Sequence, residues 1–133
     1  MLYEIKMTVP RVNEKGETKN VREHYILEAE THGDAEAQGY AMYEGQQVDV
    51  FAVFRSKIRE VVNEKEDEKS FFLVTVTDTF TDDNGAEKEL SYQMLVCAAN
   101  LMEAARIMEE YMKQGYDMTV NSLHKTMIKD YIH

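Results

Sequence analysis

The residues of this 133-residue chain that could do chemistry are few and scattered. Its four histidines are His24, His32, His124 and His133, and the only suggestive spacing joins His124 to Asp130 and His133 at the C-terminus. A metal site needs three or four ligands converging on one point, and a chain end is poorly placed to hold them, so no metal is expected. Glu23 and His24 are adjacent on a strand-like segment; they point to opposite faces and cannot work as an acid/base pair. Cys97 lies in the apolar run 94–99, where a thiol behaves as a small hydrophobe and not as an activated nucleophile. The carboxylate groups Asp82-Asp83, Glu109-Glu110 and Glu66-Asp67-Glu68 read as turns and solvated faces, because hydrolytic carboxyl pairs must be set across a cleft. Glycine-rich phosphate loops, CxxC, HExxH and GxSxG motifs are absent. The expectation is a protein without catalytic machinery or cofactor.

Charge sharpens that expectation. There are 25 acidic against 15 basic residues, a formal charge of −10, which repels polyanions. The one local basic group is Arg55, Lys57 and Arg59, whose alternation would put all three on one face of a strand, with Phe51 nearby as a ring on which a base could stack. One cysteine permits no internal disulfide, and neither an export signal nor a membrane-spanning apolar run is visible, so a cytoplasmic location is expected.

The elements that must position these residues read as two copies of one unit. Shifted by 69 positions the chain lies over itself: Tyr3, Ile5 and Met7 fall on Phe72, Val74 and Val76, Gly16 on Gly85, and Asp34-Ala35 on Glu103-Ala104. The register is read without a gap on to Phe54/Leu123 and Ile58/Met127. Each copy predicts an alternating strand, a glycine turn, a second strand, a helix capped by Thr31 or Asn100, and a long closing strand, from Val48 to Val62 in the first copy and from about Tyr116, after a stop near Gly115, in the second. The fold expected is α+β: tandem ββαβ units, 1–62 and 70–133, forming one mostly antiparallel sheet with both helices on one face. Residues 63–69 hold no apolar side chain and read as a solvated linker. Ile26, Leu95, Leu73 and Cys97 belong to the strand face away from the helices, which predicts burial against a partner or in a homodimer. Nine methionines, including Met102, Met108 and Met112 on the second helix, read mainly as core filler.

The segments Arg22 to Ala29 followed by Asp34 to Ala37, and Gln93 to Ala98 followed by Glu103-Ala104, resemble an uncharacterised small-protein family, a domain of unknown function, of Bacteroidota and their phages. The resemblance covers nearly the whole chain, though Tyr3 stands near where an N-terminal tryptophan is usual. It implies a small accessory protein and transfers no functional residue. Combined with the acidic charge, this context gives the first functional expectation, a non-enzymatic inhibitor of a host protein such as a nucleic-acid-binding defence nuclease, in the manner of an anti-CRISPR protein. Its contacts would be Asp82, Asp83, Glu87 and Glu89 on one hairpin and Glu64, Glu66, Asp67 and Glu68 in the linker, where complementary charge favours docking to a basic surface. The alternatives are a single-stranded nucleic acid or nucleotide-ligand module using Phe51, Arg55, Lys57 and Arg59, and an oligomeric scaffold.

Overall fold

Alternation of apolar and polar residues produces the two long hairpins that organise the chain. In the computed structural model, which describes residues 1–114 and 117–133, strands β1 (Leu2–Val12) and β2 (Thr18–Glu28) form the first. The Asn13 carboxamide oxygen accepts the N–H groups of Lys15 and Glu17, both at 2.9 Å, and Gly16 takes the positive φ of 79° that closes the turn. The helix α1 (His32–Ala41) follows, its first turn capped by the Thr31 hydroxyl, which accepts from the Asp34 N–H at 3.0 Å. Strands β3 (Asp49–Arg55) and β4 (Ile58–Val61) come next. The second hairpin, β5 (Ser70–Thr81) and β6 (Glu87–Ala98), turns on Asp82, which accepts from Asn84 and Ala86 at 2.9 Å. Helix α2 (Leu101–Met112) is capped by Asn100, and β7 (Met118–Lys125) and β8 (Ile128–Ile132) finish the chain. The expected helix stop at Gly115 and strand start at Tyr116 lie outside the described residues.

The strands form two four-stranded sheets and not one shared sheet: β3-β1-β2-β8 and β4-β6-β5-β7, mostly antiparallel, with β8 parallel to β2 and β4 parallel to β6. The chain accordingly divides into a first compact unit, Met1–Ser56 with Met127–His133, and a second, Lys57–Thr126. The predicted strand from Val48 to Val62 is broken at Ser56-Lys57. There the Ser56 N–H bonds the Leu2 carbonyl at 2.9 Å and its hydroxyl donates to Glu4 at 2.8 Å, ending the pairing of β3 with β1; Ile58 then enters the other sheet. Arg55, Lys57 and Arg59 therefore do not share a strand face.

Ladder positions in the two sheets correspond at a constant offset that changes once. Leu2 faces Glu28 as Phe71 faces Cys97, an offset of 69, while Val53 opposite Ile5 matches Leu123 opposite Val74, an offset of 70 for the third strand. The fourth strands agree, since Ile58 lies beside Gln93 as Ile128 lies beside His24. The gapless register through Phe54/Leu123 and Ile58/Met127 is thus one residue out, since the third and fourth strands correspond at 70.

In the first unit α1 covers the sheet face carrying Tyr3, Ile5, Met7, Val9, Tyr25 and Leu27. A Cβ on Gly39 would stand 2.9 Å from Ile5 Cδ1 and 3.2 Å from Val50 Cγ2, so the missing side chain lets the helix lie close. In the second unit Phe72, Val74, Val76, Met94 and Val96 pack with Ala104 and Met108, and the buried Met108 stands where the first helix has Gly39. Met7, Met94 and Met108 are core residues, as expected, whereas Met102 and Met127 are largely exposed. On the opposite strand faces Ile26, Phe71, Leu95 and Cys97 are buried and Leu73 is half-buried.

Segment 63–69 is less free than its composition predicts. The Asn63 carboxamide accepts the Cys97 N–H at 2.7 Å and donates to the Cys97 carbonyl at 2.8 Å, continuing the parallel pairing of β4 with β6 by one side chain. Lys69 pairs with Glu66 at 2.6 Å and with Glu103 on α2 at 3.0 Å. Polar residues can fasten a segment as well as solvate it, which composition alone does not distinguish.

Candidate ligand-binding site

The face of the first sheet turned away from α1 carries a cavity of about 320 Å³ lined by Lys6, Arg22, Glu23, His24, Phe51 and Met127. Strand pairing explains the grouping. Lys6 and His24 are directly opposed partners of β1 and β2, and Arg22, partner of Thr8, is the diagonal neighbour of Lys6 on the same face. Between β1 and β3 the ladder slips at Lys6/Met7, whose partners are Ala52 and Val50, and this leaves Phe51 as the extra residue of a bulge. Bulges redirect a side chain. The Phe51 ring, 47% exposed, lies 5.6 Å from the Arg22 guanidinium, and Lys6 Nζ lies 5.8 Å from the Phe54 ring.

Among the described residues neither Lys6 nor Arg22 forms an ion pair. His24 does have a carboxylate partner: Nε2 is 2.8 Å from Glu4 Oε1, and Ser56 donates to the other Glu4 oxygen. Burial works against ionisation of Glu4, but the hydrogen bonds from His24 and Ser56 outweigh it and hold the carboxyl below its ordinary range. The Ser56 hydroxyl and the His24 ring thus meet on the one Glu4 carboxylate, which orients both.

Behind this face, at the margin of the core, Glu23 is only 7% exposed. Arg11 Nη2 reaches its two oxygens at 3.1 and 3.0 Å, Tyr25 and Tyr43 donate to Oε1 at 3.0 and 2.5 Å, and Lys129 Nζ donates to Oε2 at 2.5 Å. Burial raises the pKa of such a carboxyl, yet the bonds from Lys129, Tyr43, Arg11 and Tyr25 bring it down to about 2. Burial, with the bonds to Tyr43 and Glu23, pushes the Tyr25 phenol well above its usual value. Both carboxylate oxygens are engaged, so the carboxylate ties β1, β2, the segment after α1 and β8 together. Sequence reasoning missed this node, although its signal was present: Glu23 occupies an inward-facing position between Val21 and Tyr25, where a charge must find partners.

The equivalent face of the second unit has the same framework and different chemistry. The positions of Lys6, Arg22 and His24 are held by Thr75, Ser91 and Gln93, and the bulge residue corresponding to Phe51 is Asn121. Two of these groups share Thr77: the Ser91 and Thr77 hydroxyls lie 3.0 Å apart, and Asn121 donates to Thr77 at 2.5 Å. At the place of the Lys129–Glu23 pair, Arg59 lies 4.5 Å from the Tyr92 ring centroid.

The residues singled out from the sequence are dispersed. Phe51 and Arg55 are on β3 in the first unit, whereas Lys57 precedes β4 and Arg59 lies on it in the second. His124 is on β7 in the second unit, and Asp130 and His133 belong to the first, where the His133 ring stacks on Tyr131 at 4.5 Å. Among the described residues no group of three or more His, Cys, Asp or Glu is placed to hold a metal. Of the acidic residues, Asp82 is occupied by its turn and Glu66 by Lys69, while Asp83, Glu87, Glu89, Glu64, Asp67 and Glu68 are exposed. No described helix is long and apolar enough to cross a membrane.

The chain belongs to a family described as a domain of unknown function, DUF4494, whose model matches residues 1–133. Neither the curated proteins nor the solved structures contain a match to it.

Proposed function

We propose that this protein is a non-enzymatic binding module whose cavity in the first unit takes an anionic ligand. The observation that carries the reading is the pair of cations, Lys6 and Arg22, at a cavity in a chain with ten more acids than bases. Among the described residues neither cation is in a close ion pair: each lies over a ring, Lys6 with Glu4 acting on it at longer range, which leaves charge available to an incoming anion. Behind this reading stands a tandem duplication of one ββαβ plan, each helix on its own sheet, supported by the matching turns, caps and ladder offsets. Calorimetric titration of the whole chain with inorganic phosphate, citrate and acetate at low salt tests it. Saturable binding that weakens as salt rises, and that is lost in Lys6→Thr/Arg22→Ser, is the expected result; no heat with any anion rejects it.

A second reading, of a partner protein docked by charge, draws on the β5–β6 hairpin. Phe80 and Leu90 are exposed there on one face, with Glu87 and Glu89 on the other and Asp83 at the turn. Apolar anchors beside acids suit a partner that presents a basic, partly apolar surface, such as a nucleic-acid-binding protein of a bacterial host. An accessory role in Bacteroidota or their phages is part of this reading. Reversing Asp83, Glu87 and Glu89 to lysine should abolish capture of that partner; undiminished capture removes the hairpin from consideration.

A further inference from the structure

Deepening the proposed anion site, on which it rests, we infer that the ligand is a single nucleotide: a phosphate monoester joined to a planar heteroaromatic base. The cavity presents two kinds of contact side by side. Lys6 and Arg22 come from neighbouring positions on two paired strands, so their nitrogens can converge on one compact anion, while His24 beside them is held by Glu4. The guanidinium fork matches the oxygens of phosphate, and lysine adds a point charge. Phe51 supplies the second contact. Its ring is half exposed and is carried out of register by the bulge, and an exposed aromatic face beside cations is where a base stacks. A simple inorganic anion has no use for that ring.

Size and charge select one nucleotide over a strand. A volume of about 320 Å³ lies at the lower end of the ~300–1,000 Å³ typical of small-ligand sites. Affinity for a polynucleotide grows with the number of phosphates neutralised, yet beyond Lys6 and Arg22 a strand would run over a chain with ten more acids than bases. A mononucleotide confines its charge to the cationic spot.

The second unit provides the control. Its sheet keeps the same bulge and pairing with Thr75, Ser91, Gln93 and Asn121 in these places, so the framework does not require two cations and a phenyl ring. The variants Lys6→Thr, Arg22→Ser and Phe51→Asn import side chains that the same backbone already accepts, and retention of the fold is checked by circular dichroism.

The experiment is titration of the full chain with adenosine monophosphate, guanosine monophosphate, adenosine, inorganic phosphate and a single-stranded oligonucleotide at low and moderate salt. At least one nucleotide should bind tenfold or more tighter than either phosphate or adenosine. Phe51→Asn should remove that advantage while leaving phosphate binding within about twofold, and Lys6→Thr/Arg22→Ser should weaken the nucleotide by tenfold or more. Phosphate binding with no nucleotide advantage overturns the nucleotide class and leaves the anion site standing. An oligonucleotide preferred over every mononucleotide also overturns it, in favour of a strand. Absence of binding by all probes overturns both readings.

Discussion

Two places at the same point of the two sheets solve one packing problem in different ways. Where β8 meets β2, Lys129 pairs with the buried carboxylate of Glu23, which Arg11, Tyr25 and Tyr43 also serve; where β4 meets β6, Arg59 lies over the Tyr92 ring. A cation from the strand that pairs in parallel is common to both. The first solution is conditional, since a buried carboxylate is tolerable only while its donors stay in place. The second asks for no ionised partner and keeps its attraction when one contact loosens. The same contrast recurs on the opposite faces: the first unit holds Lys6 and Arg22 against aromatic rings and, among the described residues, outside any close ion pair, and the second holds neutral groups, of which Ser91 and Asn121 bond to Thr77. Specialised polar chemistry is concentrated in the first unit.

Breaking the first node should have the largest effect. Glu23→Ala leaves Arg11, Lys129 and two phenols facing an empty site and should cost about 3–4 kcal/mol in urea unfolding, the scale of a broken buried ion pair with half-exposed partners. Tyr92→Ala, which removes a half-buried ring and its hydroxyl contact with Met118 but strands no buried charge, should cost less. Next comes Met108→Ala, which opens a hole in the core of the second unit and should cost about 3 kcal/mol.

Acid should sharpen the contrast between the nodes. Glu23 titrates near 2 in the folded chain against 4.5 as an ordinary glutamate, so its contribution is present above about pH 4.5 and is lost as pH falls towards 2. Glu4, also lowered, has the same sign. Unfolding midpoints measured from pH 6 to pH 2.5 should drop steeply for the native chain and less steeply for Glu23→Gln; parallel curves would show that the node does not govern acid stability.

Smaller effects compare the helices. Gly39→Ala pushes a methyl group against Ile5 and Val50 and should destabilise by about 1–2 kcal/mol, although alanine is the better helix former. Thr31→Ala and Asn100→Ala should cost about 1 kcal/mol each, because both caps accept one first-turn N–H in the same geometry. A difference between them much larger than that would mean that the helix starts are not equivalent.

Local features were legible because they depend on residues a few positions apart. The turns at Asn13 and Asp82, the caps at Thr31 and Asn100, the strand alternation and the inward core residues follow from short-range hydrogen bonding and period-two burial. The break at Ser56 was not legible, since Val48 to Val62 has strand character throughout and the stop comes from Leu2 and Glu4, more than fifty residues away. Of the candidate site, nearness in sequence grouped Phe51 with Arg55, Lys57 and Arg59, whereas the residues that line a cavity with Phe51 are Lys6, Arg22 and His24, brought there by cross-strand pairing.

By itself the sequence determined the repeated strand, turn and helix order, the caps, and which strand faces turn inward, because each is encoded in periodicity and in side chains bonding their own neighbourhood. Only the tertiary structure decided which sheet β4 and β8 join, where the offset changes from 69 to 70, and which cations gather beside Phe51. Those outcomes rest on pairings between residues far apart along the chain, and a strand carries the same alternating pattern whichever partner its backbone finds.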